Sequence, residues 1–103
     1  KLVGDKLAED IVLMDLRKVT TFADYFVICN GTSERHLQAL ADAMVEAMTA
    51  EGLKPLHVEG TSESGWILLD FGSVIVHILS AEAREYYQLE RLWTAAPTVL
   101  RMQ

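Results

Sequence analysis

Ser33, Ser73 and Ser80 are the serines that could act as nucleophiles if a base stood beside them. Each has a simpler use. Ser33 and Ser80 sit directly before stretches that read as helix, where a side-chain oxygen caps free N–H groups, and Ser73 follows Gly72 in a turn. His36, His57 and His77 show no metal-ligand spacing with one another or with Cys29. His77 lies in an apolar strand and reads as a hydrogen-bonded core or interface histidine. Cys29, late in another apolar strand, reads as a small packed hydrophobe. Walker A, GxGxxG and HExxH patterns are absent from the sequence.

One near-motif has chemistry in reach. Asn30-Gly31-Thr32-Ser33 lies between a strand and a helix start, where backbone N–H groups and the helix dipole can hold a phosphate. Nucleotidyl transfer at such a turn also needs paired carboxylates on a neighbouring strand to hold divalent metals. Asp70 stands alone in Leu69-Asp70-Phe71, and Glu59 and Glu63 belong to another strand end and loop. Helix capping is therefore the reading the turn supports. No catalytic residue, metal ligand or cofactor is expected.

The elements that position these residues follow from period and punctuation. Residues 1–9 read as the end of an N-terminal helix with Leu2, Val3 and Leu7 on its buried side, and the chain opens without Met, as if an upstream segment had been cut away. Residues 11–16 and 25–29 are apolar runs that predict buried strands. Residues 33–51 predict the clearest helix, with Thr32 or Ser33 able to cap its start: Leu37, Leu40, Ala41, Met44, Val45 and Met48 share one face, and Gly52 follows as a stop. A short strand is expected at residues 56–59. Trp66-Ile67-Leu68-Leu69 and residues 74–79, joined through Gly72-Ser73, predict a hairpin, and Ser80 caps a helix or helical turn over residues 81–92. The strand-helix-strand passage over residues 25–59 implies a right-handed parallel crossover. The sum is one domain over residues 1–103, an α/β fold with a single-layer mixed β-sheet and packed helices.

Charge narrows the function. Nine Lys and Arg against fifteen Asp and Glu leave a formal net charge of -6 in 103 residues, and the basic residues form no tract. Sequence-independent nucleic-acid binding draws on Lys and Arg, so this chain is a poor candidate for it, while a basic protein surface suits it as partner. A single cysteine excludes an internal disulfide and suits a reducing compartment. No apolar run reaches membrane-spanning length.

Several blocks together resemble the ribosomal silencing factor family, also called Iojap or RsfS. They are Ala23-Asp24-Tyr25-Phe26-Val27-Ile28, Gly31-Thr32-Ser33-Glu34-Arg35-His36, Val58-Glu59-Gly60, Gly65-Trp66-Ile67-Leu68-Leu69-Asp70-Phe71-Gly72, Val74-Ile75-Val76-His77 and Arg84-Glu85-Tyr86-Tyr87-Gln88-Leu89-Glu90-Arg91-Leu92-Trp93. The resemblance implies a nucleotidyltransferase-like fold without the catalytic acids. It implies binding to the large ribosomal subunit at ribosomal protein uL-fourteen, which blocks joining of the small subunit and damps translation under nutrient limitation; organellar relatives assist large-subunit assembly. It further implies a cytoplasmic bacterial protein, or an organellar one if a transit segment has been removed. Two departures are noted: a clipped N-terminal helix, and residues 95–103 running past the family's usual end at Trp93. They leave a homodimer off the ribosome open.

A steric blocker needs a rigid surface with aromatic anchors rather than an active site. Trp66, Tyr86, Tyr87 and Trp93 are the large aromatics of the 65–93 stretch. Trp66, after a flexible Ser-Gly lead-in, is expected at the sheet edge as the main anchor, the alternative being a cap on the sheet. Tyr86 and Tyr87 are adjacent, so one should face inward and the other outward. Trp93 serves either the interface or the core. Asp70 and Glu82 are candidate rim charges, and Arg84 completes the expected partner-binding set.

Overall fold

The computed structural model describes residues 8–92 and 96–102. The expected N-terminal helix with Leu2, Val3 and Leu7, and Trp93, lie outside the described residues, and Glu9, expected at the end of that helix, instead opens the first strand. The elements are β1 (Glu9–Asp15), β2 (Tyr25–Gly31), α1 (Glu34–Ala50), β3 (His57–Thr61), β4 (Trp66–Asp70), β5 (Val74–Ser80), α2 (Ala81–Tyr87), α3 (Leu89–Leu92) and β6 (Thr98–Met102).

One six-stranded mixed sheet carries them, in the order β3-β4-β5-β2-β1-β6. Among the described residues β2 and β5 alone pair in parallel, and the other neighbours are antiparallel. The expected passage from β2 through α1 to β3 does join two strands of the same direction. They are not neighbours, because β4 and β5 fill the space between them. The central strands β2 and β5 are the most continuously apolar, as strands buried on both faces must be.

Side chains alternate across the sheet and build two cores. On one face, Leu37, Leu40, Ala41 and Met44 of α1 pack on Ile11, Cys29, Ile67, Leu69, Val76 and Ile78. On the other, Leu16, Ala23, Ala83, Leu89 and Ala96 cover Val12, Met14, Phe26, Ile28 and Leu79, with Trp66 and Ile75 half-buried beside them. This second covering stops short of β3, whose five residues are all exposed.

The helix ends obey the sequence closely. Ser33 Oγ accepts from the His36 N–H at 3.0 Å, and Thr32 N–H donates to His36 Nδ1 at 2.9 Å. At the other end, Gly52 (φ +86°) donates to Thr49 O at 2.9 Å and Leu53 to Met48 O at 2.8 Å, the paired bonds of a Schellman stop. Ser80 Oγ caps α2 by accepting from Ala83 N–H at 3.1 Å.

The expected run of helix over residues 81–92 is broken at Gln88, which is left-handed (φ 49°). The break turns the chain so that Leu89 is buried and Glu90 comes back to Arg84. Within the stretch expected to run past the family's end, Thr98–Met102 form β6, which closes the far edge of the sheet on β1, pairing Ile11 with Met102 and Leu13 with Leu100.

Candidate functional site

Trp66 sits where the second sheet face loses its cover. The residues before it are tied down rather than flexible. Ser64 Oγ accepts from Thr61 N–H at 3.2 Å and donates to Thr61 O at 2.8 Å, and Ser64 N–H donates to Thr61 Oγ1 at 3.2 Å. Gly60 seals the arrangement: at φ +79°, a Cβ there would lie 2.0 Å from Trp66 O, so the β3 and β4 backbones meet at a distance only glycine allows. β4 is the second strand in, not the edge, so Trp66 lies on the face of the sheet rather than at its rim. Both readings of the ring hold in part, for it is half-buried against the core and also lines an open groove.

Hairpin register aims the indole. Trp66 pairs with Leu79 and Leu68 with His77, which places Trp66, Leu68, His77 and Leu79 on one face. Trp66 Nε1–H donates to His77 Nδ1 at 3.1 Å. His77 is only 4% exposed and Phe26 stands edge-on to it, ring centroids 4.7 Å apart. Its Nδ1 being the acceptor, the proton of the neutral ring sits on Nε2, which has no hydrogen-bond partner. The expected satisfied histidine is thus satisfied at one nitrogen only. Burial pushes its pKa down to about 4, so the ring is neutral at ordinary pH.

Tyr87 closes the other side. Its ring centroid is 4.5 Å from that of Trp66, and Tyr86 stands perpendicular to it at 5.0 Å. Tyr86 is 81% exposed and Tyr87 44%, so the expected inward member turns toward Trp66 yet stays at the surface. Trp66, Leu68 and Tyr87 with Glu59, Gly60 and Ser64 line a shallow groove of about 290 Å³. Leu68 and Glu59 are not in the partner-binding set expected from sequence. The signal was present: strand alternation from the Gly72-Ser73 turn puts Leu68 beside Trp66, and Glu59 is its cross-strand partner.

The remaining expected site residues separate. Asp70 continues the Trp66–Leu68 face, but its Oδ1 accepts from Gly72 N–H at 2.8 Å, so it also shapes the hairpin turn. Glu82 is exposed in the first turn of α2 and lines a different cleft. Arg84 is 8% exposed and spent inside the molecule. Its Nη1 donates to Asp10 O at 2.7 Å and Asn30 Oδ1 at 2.8 Å, while Nε and Nη2 hold Glu90 Oε1 and Oε2 at 3.2 and 2.9 Å. The guanidinium joins α2 to β1, β2 and α3, and this bond holds the Glu90 carboxyl below its usual range. Arg84 therefore positions the helix that carries Tyr86 and Tyr87 and offers no free donor face to a partner. The sequence assignment missed this because its acceptors lie 54 and 74 residues away.

The cleft holding Glu82 is the one a nucleotidyltransferase reading would need. It measures about 620 Å³, and Gly31, Thr32 and Ser33 line it with Ser62, Ser64 and Ser80. Glu9, Glu34, Glu63 and Glu82 line it too, and among the described residues no Lys or Arg does. A triphosphate there would meet four carboxylates and, among the described residues, no side-chain cation, an unfavourable field for it.

Comparison with known proteins identifies the family and the fold. The family model described as "Ribosomal silencing factor during starvation" matches residues 1–103. That match runs through residues 95–103, so β6 lies inside the family pattern and not past its end. A protein of Halalkalibacterium halodurans named ribosomal silencing factor RsfS is 39% identical over 97 residues, covering 94% of this chain and 83% of the relative. A mouse protein named mitochondrial assembly of ribosomal large subunit protein 1 is 35% identical over 96 residues, which span 90% of this chain and 42% of that protein. A crystal structure of a Chromobacterium violaceum protein superposes with a TM-score of 0.86 at 30% identity, covering 90% of this chain and 78% of that one. With a family match over the whole chain, relatives at this identity and a shared fold, the chain belongs to the ribosomal silencing factor family.

Proposed function

We propose that this protein silences ribosomes by docking the Trp66–Leu68–Tyr87 face on the large ribosomal subunit, at ribosomal protein uL-fourteen, where it sterically blocks the small subunit. The supporting observation is the face itself. Three apolar side chains lie in an open groove with Glu59 on its rim, on a chain of net charge -6. Aromatic anchors in a partly desolvated groove supply bound-state energy, and an acidic rim steers a basic partner. Nothing in this mechanism calls for turnover, so the protein acts as a non-enzymatic wedge, in the cytoplasm of a bacterium or inside an organelle. The name of the mouse relative favours a second consequence of the same docking, support of large-subunit assembly.

Sucrose-gradient cosedimentation with purified subunits tests the docking. The protein should travel with large subunits and leave small subunits bare. Trp66→Ala should weaken that binding by about 2 kcal/mol, roughly 30-fold. Migration with small subunits alone would overturn the proposal.

A further inference from the structure

We propose that His77 is the positioning residue of the docking face, fixing Trp66 by taking its indole N–H inward, and that the partner surface opposite the ring is hydrocarbon rather than a hydrogen-bond acceptor. The inference rests on the docking reading above and deepens it.

A half-exposed tryptophan normally turns its N–H to water. Here the donor points into the protein, to an imidazole that is itself 4% exposed, at 3.1 Å. Two consequences follow for binding. A partner that covers the ring strips no water from the indole nitrogen, so the desolvation penalty of that polar group is already met inside the fold. The ring is also held between His77 and Tyr87, at 5.8 and 4.5 Å between centroids, so less side-chain freedom is lost on docking. With the indole donor occupied, a backbone carbonyl or carboxylate placed over the ring gains no bond from it. The groove around it offers Leu68 and the Tyr87 ring, which suit aliphatic side chains, while Glu59 on the rim suits a flanking Lys or Arg.

The buried imidazole leaves Nε2–H without a partner, a feature that core packing alone does not favour. Phenylalanine would fill the same space without an orphaned donor. A group that the fold carries at a loss, bonded only to the face residue above it, is what a positioning role produces.

The test uses the whole chain with His77→Phe and His77→Asn, the latter placing Oδ1 near the former Nδ1. Two tryptophans give two indole N–H resonances, and Trp66→Phe assigns them. His77→Phe should melt at or above the wild-type temperature, shift the Trp66 indole N–H toward its solvent-exposed value, and leave immobilised large subunits about tenfold faster. His77→Asn should restore the indole resonance and the slow dissociation. A folded His77→Phe with wild-type dissociation overturns the inference. If His77→Phe does not fold, His77→Asn decides: an intact indole bond with fast dissociation, or a lost bond with slow dissociation, overturns it. Trp66→Ala run in parallel separates the two failures. If it binds normally, the docking reading falls; if it binds weakly while His77→Phe binds normally, only the role of His77 falls.

Discussion

Replacing Arg84 with Met removes the guanidinium and keeps most of the stem, so the loss reads the polar network alone. Four hydrogen bonds go at once. The paired bonds to Glu90 are partly solvent-exposed on the carboxylate side, and after screening are worth about 1–2 kcal/mol together. The Asp10 carbonyl and Asn30 Oδ1 are left without that donor, at about 1 kcal/mol each. The total is about 3–4 kcal/mol, and a domain of this size shifts its Tm by about 4–8 °C per kcal/mol. Arg84→Met should therefore melt roughly 12–30 °C below wild type, in the range set by that conversion. Arg84→Lys should fall between, because an ammonium cannot make the two-pronged bond to Glu90. The measurement is thermal or urea unfolding of both variants, followed by large-subunit binding at a temperature where each is folded. A variant that melts within a few degrees of wild type yet fails to bind would refute the network argument and return Arg84 to the interface.

Other outcomes follow from single contacts. His77 titrates near 6.5 when unfolded but only near 4 when folded, so between those values the unfolded chain binds more protons and stability falls as pH falls. The loss approaches about 3 kcal/mol by pH 4, and urea midpoints of wild type and His77→Phe, compared from pH 7 to 4, should diverge only in that window. Gly60→Ala drives a Cβ against Trp66 O and strains a left-handed backbone, so it should destabilise by more than about 2 kcal/mol and disorder the Trp66 indole signal in the same spectrum. Glu59→Gln should slow association with large subunits at low salt, with little change in dissociation; an effect that persists unchanged at high salt would count against steering.

What could be read from sequence was local. The α1 face, its Ser33 cap and Gly52 stop, the hairpin turn and the Ser80 cap all rest on interactions within a few residues, and they stand where expected. What could not be read depends on distant partners. β6 has five exposed residues and no buried alternation, so only its pairing with β1 defines it. Gln88 breaks the last helix because Leu89 and Glu90 have targets in the core and on Arg84. At the site, the sequence picked Trp66 and the two tyrosines by residue type. It placed Trp66 at the sheet edge from the Ser-Gly lead-in alone; the strand expected at residues 56–59 is present, but that it lies outside β4 is a matter of strand order, which local sequence does not set. It put Arg84 in the partner-binding set because a buried arginine looks the same in sequence as an exposed one.

The central claim is that one aromatic face keeps the subunits apart. Light scattering of purified subunits mixed with increasing protein tests it most directly. Wild type should lower the yield of joined ribosomes in step with its occupancy of large subunits, and Trp66→Ala, confirmed folded by its melting curve, should leave joining intact at concentrations where wild type saturates. Unchanged joining with large subunits fully occupied by wild-type protein would contradict the account.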